Sequence, residues 1–248
     1  MEKTIRTHRL AGLTWQEFRS IVPEVTDAVL LPTGTVEAHG VTSLGTDNTI
    51  PEAIAARIAA PVNALIAPTI PYGITRSLLA WPGSTSVTPE TFERYVYEVA
   101  ASLAEAGFRR IVFLNGHGGN TGQLKDICFR LYREKKMFSL ALDWWVLCAE
   151  ETRTVYGHEG GHGGTDETAM VIAAAPEEVR ADEFRPDLAF PAPPGTTISP
   201  YPGSIILYDS DDGLPDFDPA RAQRLLDAVC ARVAATVNEV FRRWQSIR

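Results

Sequence analysis

Four of the five histidines in this 248-residue chain lie in short glycine-rich segments, three of which also carry an acid. Glu37-Ala38-His39-Gly40 is followed by Gly45-Thr46-Asp47. Next comes Asn115-Gly116-His117-Gly118-Gly119-Asn120, and then His162-Gly163-Gly164-Thr165-Asp166-Glu167. His, Asp and Glu are the ligand types of borderline or hard divalent ions, and a catalytic site gathers them while leaving a coordination position open. The pattern predicts a metal-dependent hydrolase whose metal does the chemistry.

Glu37 and His39 are two residues apart, so in an extended segment both point to one side. Asp47 has two oxygens and can bridge two ions. A lone Glu-x-His reads more readily as a polar surface loop; paired with Asp47 after a buried strand, the metal reading becomes the better one. In the second cluster the glycines around His117 sacrifice backbone entropy, which a mere turn does not require. A phosphate cradle lacks its Walker lysine there. In the third cluster Glu167 opens a helix, where the dipole favours an anion; a flexible lid is the other reading. His158 is left as lid or support, and His8 as an exposed residue of a polar N-terminal arm.

Placing these clusters requires strands that end beside them. Ala28–Pro32 reads as a buried strand, Pro51–Ala60 as a helix and Asn63–Ala67 as a second strand. Thr88 caps a helix with Pro89 in its first turn, Phe92, Tyr95, Val96, Val99 and Leu103 as its apolar stripe, and Gly107 at its end. Arg110–Leu114 reads as a central strand, Thr121–Lys135 as a helix and Phe138–Leu142 as a strand ending at Trp144-Trp145. Of these two tryptophans, one is expected in the core and the other on a pocket wall. Glu167–Ala175 reads as a helix, and residues 189 to 218 as a long loop with a short strand at Ser204–Leu207. Asp218 and Pro219 start a last helix to Trp244. Strands alternating with helices imply a mostly parallel sheet covered on both faces, with sites beyond the strands' carboxyl ends. The expectation is one three-layer αβα domain over residues 1–248.

Composition agrees with that class. The chain is 45% apolar and 22% charged, as in globular proteins. Its formal charge of -8 argues against a nucleic-acid partner. No stretch of 18 uninterrupted apolar residues exists, and no signal-like run opens the chain, so a cytoplasmic protein with no membrane partner is expected. Cys128, Cys148 and Cys230 form no CxxC pair. They read as free thiols, Cys128 and Cys230 as buried small hydrophobes.

The motifs resemble those of the creatininase (creatinine amidohydrolase) family. Gly34–Gly40 with Gly45–Asp47 is similar to its first metal motif, Asn115–Asn120 to its second, and His162-Gly163 with Glu167-Thr168 to its third. Tyr72-Gly73, Pro82–Thr85 and Gly107–Ile111 fall in the same order. The resemblance covers roughly residues 10 to 245. It implies an αβα fold, a small-molecule substrate, a homo-oligomer (often a hexamer) and two divalent ions, Zn, Mn or Fe. Glu37, Asp47 and His117 would hold one ion, and His39, Asp47 and a further carboxylate the other. In creatinine-cleaving members that carboxylate lies two residues past the second-motif histidine. Gly119 stands there in this chain, so the role falls to Glu167. His162 matches an active-site histidine that shuttles protons or binds substrate.

One departure concerns the pocket. Family members carry Gly-Pro-His-Leu-Pro after the first histidine, whereas this chain has Gly40-Val41-Thr42-Ser43-Leu44. A pocket histidine is therefore missing, with Thr42 or Ser43 in its neighbourhood. The implied chemistry is attack of a metal-bridging hydroxide on a carbonyl carbon, the C–N bond of a small cyclic amide or formamide being cleaved, with His162 or Glu167 passing a proton to nitrogen. Opening of an inosose-type cyclic ketone and a catalytically silent metal-binding scaffold are the alternatives.

Overall fold

The structure, a computed structural model, describes residues 4–193, 195–208 and 212–247. Four strands form its central sheet: β1 (Ala28–Thr33), β2 (Leu65–Ile66), β3 (Arg110–Asn115) and β4 (Phe138–Asp143). Their order is β2-β1-β3-β4 and every pairing is parallel. The chain leaves β1 to one side for β2, then returns to the other side for β3. The carboxyl ends of β1 and β3 therefore flank a topological switch point, where such sheets bind ligands.

Strand alternation divides the core in two. Ala28, Leu30, Val112 and Leu114 face one side, packed by α2 (Thr46–Ile58), α7 (Thr165–Ala174) and α8 (Pro219–Trp244). Val29, Leu31, Ile111 and Phe113 face the other, packed by α1 (Trp15–Ile21), α3 (Pro89–Glu105) and α4 (Thr121–Lys135). All eight strand residues are at most 2% exposed, so both faces are sealed and the αβα expectation holds. Each large apolar side chain so buried contributes about 1.5–3 kcal/mol before entropy is subtracted. Two short helices, α5 (Trp144–Leu147) and α6 (Ala149–Tyr156), follow β4. Among described residues no helix is long and apolar enough to cross a membrane.

Local chemistry explains most boundaries. Thr88 accepts the Thr91 N–H and Pro89 fills the first turn, so α3 begins where the sequence signals it. Its stripe is correct except for Tyr95, which is 52% exposed and faces solvent. Asp218 caps α8 by accepting from Ala220 and Arg221. The helix expected from Pro51 in fact begins at Thr46, with Pro51 inside it. Asp47 consequently sits in a helical first turn rather than in a loop.

A second sheet, of order β5-β7-β6, lies outside the sequence expectation. It comprises β5 (Gly161–His162), β6 (Ala189–Pro191) and β7 (Ile205–Leu207). The expected strand at Ser204–Leu207 is β7, and His162 pairs with Ile206 on it. His162 is thus held on a strand, not on a free glycine loop.

Candidate metal centre

Beyond β1 the chain runs through Glu37 and His39, turns at Gly40 (φ 54°) and enters α2 through Asp47. Pro51 lacks the N–H that would bond the Asp47 carbonyl four residues earlier. That carbonyl rests against Gly34 and Gly116 instead, where a Cβ on either glycine would overlap it. The close approach seats the first turn of α2 over the ends of β1 and β3. His117 arrives directly after β3, His162 on β5, and Glu167 in the first turn of α7.

These residues converge. Glu37, Asp47 and His117 bring one ligand atom each within 4.8 Å of one another, and so do His39, Asp47 and Glu167. A third grouping joins Glu37, His39 and His162. Asp47 belongs to both of the first two. Its Oδ1 lies 2.8 Å from His39 Nε2 and its Oδ2 2.8 Å from His117 Nδ1. Glu37 Oε1 is 3.3 Å from His117 Nδ1, and Glu167 Oε2 is 3.7 Å from His39 Nε2. Glu37, His39 and Asp47 are at most 2% exposed.

The backbone sets the histidine tautomers. His39 donates Nδ1–H to the Glu37 carbonyl (2.9 Å), His117 donates Nε2–H to the Ile74 carbonyl (3.0 Å) and His162 donates Nε2–H to the Ala38 carbonyl (2.7 Å). A carbonyl can only accept, so each ring's other nitrogen carries the lone pair whenever the ring is neutral. At His39 and His117 that lone pair points at carboxylate oxygens only 2.8 Å away. Lone pairs facing each other across such a gap need a positive charge between them. His39 Nε2 and Asp47 Oδ2 have no hydrogen-bond partner of proper geometry despite complete burial. Such a donor set suits a divalent ion, and the far nitrogens of the candidate ligands are already oriented.

Without an ion, protons take that place. Burial alone would lower His39, but the Asp47 carboxylate overrides it and raises it to about 10. His117 is likewise raised well above the usual range against its burial, by Asp47 and Glu37. Burial opposes ionisation of Asp47 and Glu37, yet the histidines hold both below the ordinary carboxylate range. Burial pushes Glu167 up to about 8. His162 behaves differently: burial and the nearby His39 push it down to about 4, which keeps it neutral.

Every sequence-predicted site residue (Glu37, His39, Asp47, His117, His162 and Glu167) lies in this cluster. Asp166 lines the cavity but belongs to none of the ligand groups; it accepts the Gly161 N–H at 3.1 Å, while Glu167 accepts that of Gly163 at 2.5 Å. Gly119 has no room for a side chain: a Cβ there would overlap the Ile74 carbonyl and His117 Nε2. Thr42 and Ser43 do not line the cavity. Thr42 bonds the His39 carbonyl and Thr46, and Ser43 donates to Glu178, so both brace the loop. Trp144 is buried in the core and Trp145 lines the cavity. His158 belongs to none of the ligand groups. His8 is half-buried rather than exposed, its Nδ1–H donated to the Ala64 carbonyl at 2.8 Å because its segment pairs beside β2.

Several contributors escaped the sequence reading. The Ile74 carbonyl orients His117, and Asn120 fixes that segment by accepting the Ile74 N–H and donating to the Gly34 carbonyl, both at 3.1 Å. The Tyr72-Gly73 motif was the available signal. Arg76, Ser77 and Tyr208 complete the wall. The three cysteines are free, and burial pushes their thiols up to about 11 or 12, which removes them as nucleophiles.

Residues 11–237 match the creatininase family, described as creatinine amidohydrolase. The chain belongs to the creatininase family. A creatinine amidohydrolase of Pseudomonas putida is 28% identical over 220 residues, covering 78% of this chain and 84% of that protein. A mycofactocin precursor peptide peptidase of Mycobacterium tuberculosis is 30% identical over 185 residues, covering 70% and 69%. A solved mutant creatininase of Zn–Zn type superposes with a TM-score of 0.81 at 24% identity, over 96% of this chain and 99% of that one. Like its creatininase relatives, the chain is a metal-dependent amidohydrolase by class.

Proposed function

We propose that this creatininase-family chain binds two divalent ions, zinc or manganese in type with iron as an alternative, and cleaves the C–N bond of a small cyclic amide or formamide. The observation that carries this reading is the sharing of Asp47: its two oxygens serve two different ligand groups. Glu37, Asp47 and His117 would hold one ion, and His39, Asp47 and Glu167 the other. When bound, such ions supply an activated water and a Lewis acid for the amide carbonyl.

The chain's own residues supply the rest. The Ala38 carbonyl holds Nε2–H of His162, which leaves Nδ1 as the acceptor near Glu37, 3.5 Å away. A neutral imidazole there can take a proton and pass it to the leaving nitrogen. Gly163 N–H fixes the Glu167 carboxylate, so the second ligand group is oriented in advance. Trp145, Ile74 and Leu78 line the cavity and give it an apolar wall beside the acids. The family resemblance supports a homo-oligomer, read out by light scattering.

The test is elemental analysis of protein purified without chelator, together with assay on lactams, formamides and inososes. Two ions per chain and turnover of an amide are expected. A metal-free, folded and active enzyme would overturn the reading, and turnover confined to inososes would replace the substrate class.

A further inference from the structure

The cavity above the ligand cluster encloses about 240 Å³. That is below the roughly 300–1,000 Å³ of sites for drug-sized ligands, so it takes a small molecule. Its wall contains four carboxylates, Glu37, Asp47, Asp166 and Glu167. Against them stands Arg76, the only lysine or arginine among the described residues that line it. Arg76 is exposed, whereas the four acids are buried, so this residue is on the solvent side of the cavity wall. It forms no hydrogen bond or close ion pair with any described residue. Glu90, at the start of α3, senses its charge, but that carboxylate is satisfied by Thr88 and backbone.

Glu37, Asp47 and Glu167 belong to the ligand groups, where ions would offset their charge, and Asp166 is engaged by the Gly161 N–H, so the cation that an anionic substrate group meets at the cavity wall is Arg76. An arginine with no hydrogen bond or close ion pair to a described residue, on the wall of such a cavity, has donors to offer a ligand. We propose that Arg76 sets specificity: the substrate is a small amide bearing a carboxylate on the end away from the scissile C–N bond. This rests on the amidohydrolase reading above and narrows its substrate class. The planar fork of the guanidinium matches the two oxygens of a carboxylate. Phosphate recognition typically gathers several cations or a helix N-terminus, and this wall offers one arginine. The reacting carbonyl sits at the buried ligands and the carboxylate at the exposed end, so the two charges do not compete for one place.

Two matched pairs of probes test the assignment: N-formylglycine with N-formylglycinamide, and 5-oxoproline with its amide. In the metal-loaded full chain, the charged member of the productive pair has the higher kcat/KM. Arg76→Gln lowers the charged-to-neutral ratio roughly 10- to 100-fold, mainly through KM, the span expected for one charge-assisted hydrogen-bonded contact. Arg76→Lys recovers part of it, and metal content is the same in all three proteins. An unchanged ratio in Arg76→Gln overturns the proposal. If neither pair is hydrolysed, the amidohydrolase reading fails for these amides and calorimetric binding decides Arg76 independently. Direct ligation of a carboxylate by the metals is common to both proteins and cancels in the comparison. Charged probes must then bind the wild type about tenfold or more tightly than Arg76→Gln. Equal affinities, or no binding to the wild type, overturn it.

Discussion

Asp47 Oδ1 lies 2.8 Å from His39 Nε2, without the geometry of a hydrogen bond and with both side chains at most 2% exposed. The far nitrogen of His39 is already committed to the Glu37 carbonyl. A buried acceptor and a buried lone pair are therefore held face to face by the fold, and the other oxygen of Asp47 repeats the relationship with His117. Loss of this one carboxylate unties both ligand groups. In Asp47→Ala both ions are expected to be lost. Turnover should fall by more than about a hundredfold, the loss that a mere outer partner of a metal ligand causes. Elemental analysis and steady-state kinetics check it; wild-type metal content in this variant would falsify the bridging assignment.

Glu167 and Asp166 are neighbours with different tasks. Glu167 reaches towards His39, whereas Asp166 holds the Gly161 N–H. Glu167→Gln keeps the shape, removes the charge and is expected to weaken one ion while the other stays. Asp166→Asn is expected to keep both ions and to lower stability by about 1–3 kcal/mol through its buried hydrogen bond. Metal stoichiometry after dialysis separates them. A matching metal loss in Asp166→Asn, with Glu167→Gln fully loaded, would move the ligand to Asp166.

The parts of this fold that could be read in advance are those whose signals are local. Apolar runs gave β1, β3 and β4, and caps at Thr88 and Asp218 gave α3 and α8. The capping box of Thr14 and Glu17, which starts α1, is a signal of the same local kind. Of the small sheet only β7 carries a strand signal: β5 is a Gly-His pair and β6 ends in Pro191, so neither has a strand's periodicity. The candidate ligand side chains, which the fold brings together, stand out in the sequence because His, Asp and Glu beside glycines are costly as plain structure. The Ile74 carbonyl that orients His117 does not, since a backbone acceptor leaves no mark on residue type. A single Arg76 in a loop looks like any solvated cation until the cavity places it.

Gly119 stands where creatinine-cleaving relatives are expected to carry a carboxylate, and restoring a side chain there should harm this protein. A Cβ would press on the Ile74 carbonyl and His117 Nε2, the two atoms whose hydrogen bond fixes the ligand's tautomer. Gly119→Ala is expected to cost about 1–3 kcal/mol, the range for overpacking a filled site, and to weaken the His117 ion. Gly119→Glu should be worse, not a rescue of Glu167→Gln. Urea unfolding and metal titration measure both effects; a Gly119→Glu, Glu167→Gln double variant with two tight ions would show that the backbone can yield.

His8, by contrast, is structural. Its ring donates to the Ala64 carbonyl beside β2, far in sequence from every ligand group. His8→Ala is expected to lower stability by about 1 kcal/mol, one hydrogen bond's worth, with metal content unchanged. Denaturant midpoints and elemental analysis read the two outcomes separately.

Metal binding must compete with protons, and the sign of that competition is fixed by the cluster. In metal-free protein His39 is raised to about 10, His117 well above its usual value and Glu167 to about 8. At neutral pH all three hold protons that an ion has to displace, so metal uptake releases protons and tightens as pH rises. Metal-free stability runs the other way. A group whose folded pKa is raised stabilises fully below its unfolded pKa, and that contribution is lost as pH climbs through the folded value. For Glu167 the loss spans about 4.5 to 8, and for His39 about 6.5 to 10. Asp47 and His162 are depressed, so their contributions are lost only in acid, towards the lower side of neutrality. Between pH 7 and 9, on these shifts, chelator-treated protein should lose thermal stability while metal-loaded protein, measured at fixed free metal, gains or holds it. Calorimetry in buffers of differing ionisation enthalpy should show proton release on metal addition at pH 7. Parallel stability curves for the two forms, with no protons released, would mean that the histidines are already neutral and that the ions bind elsewhere.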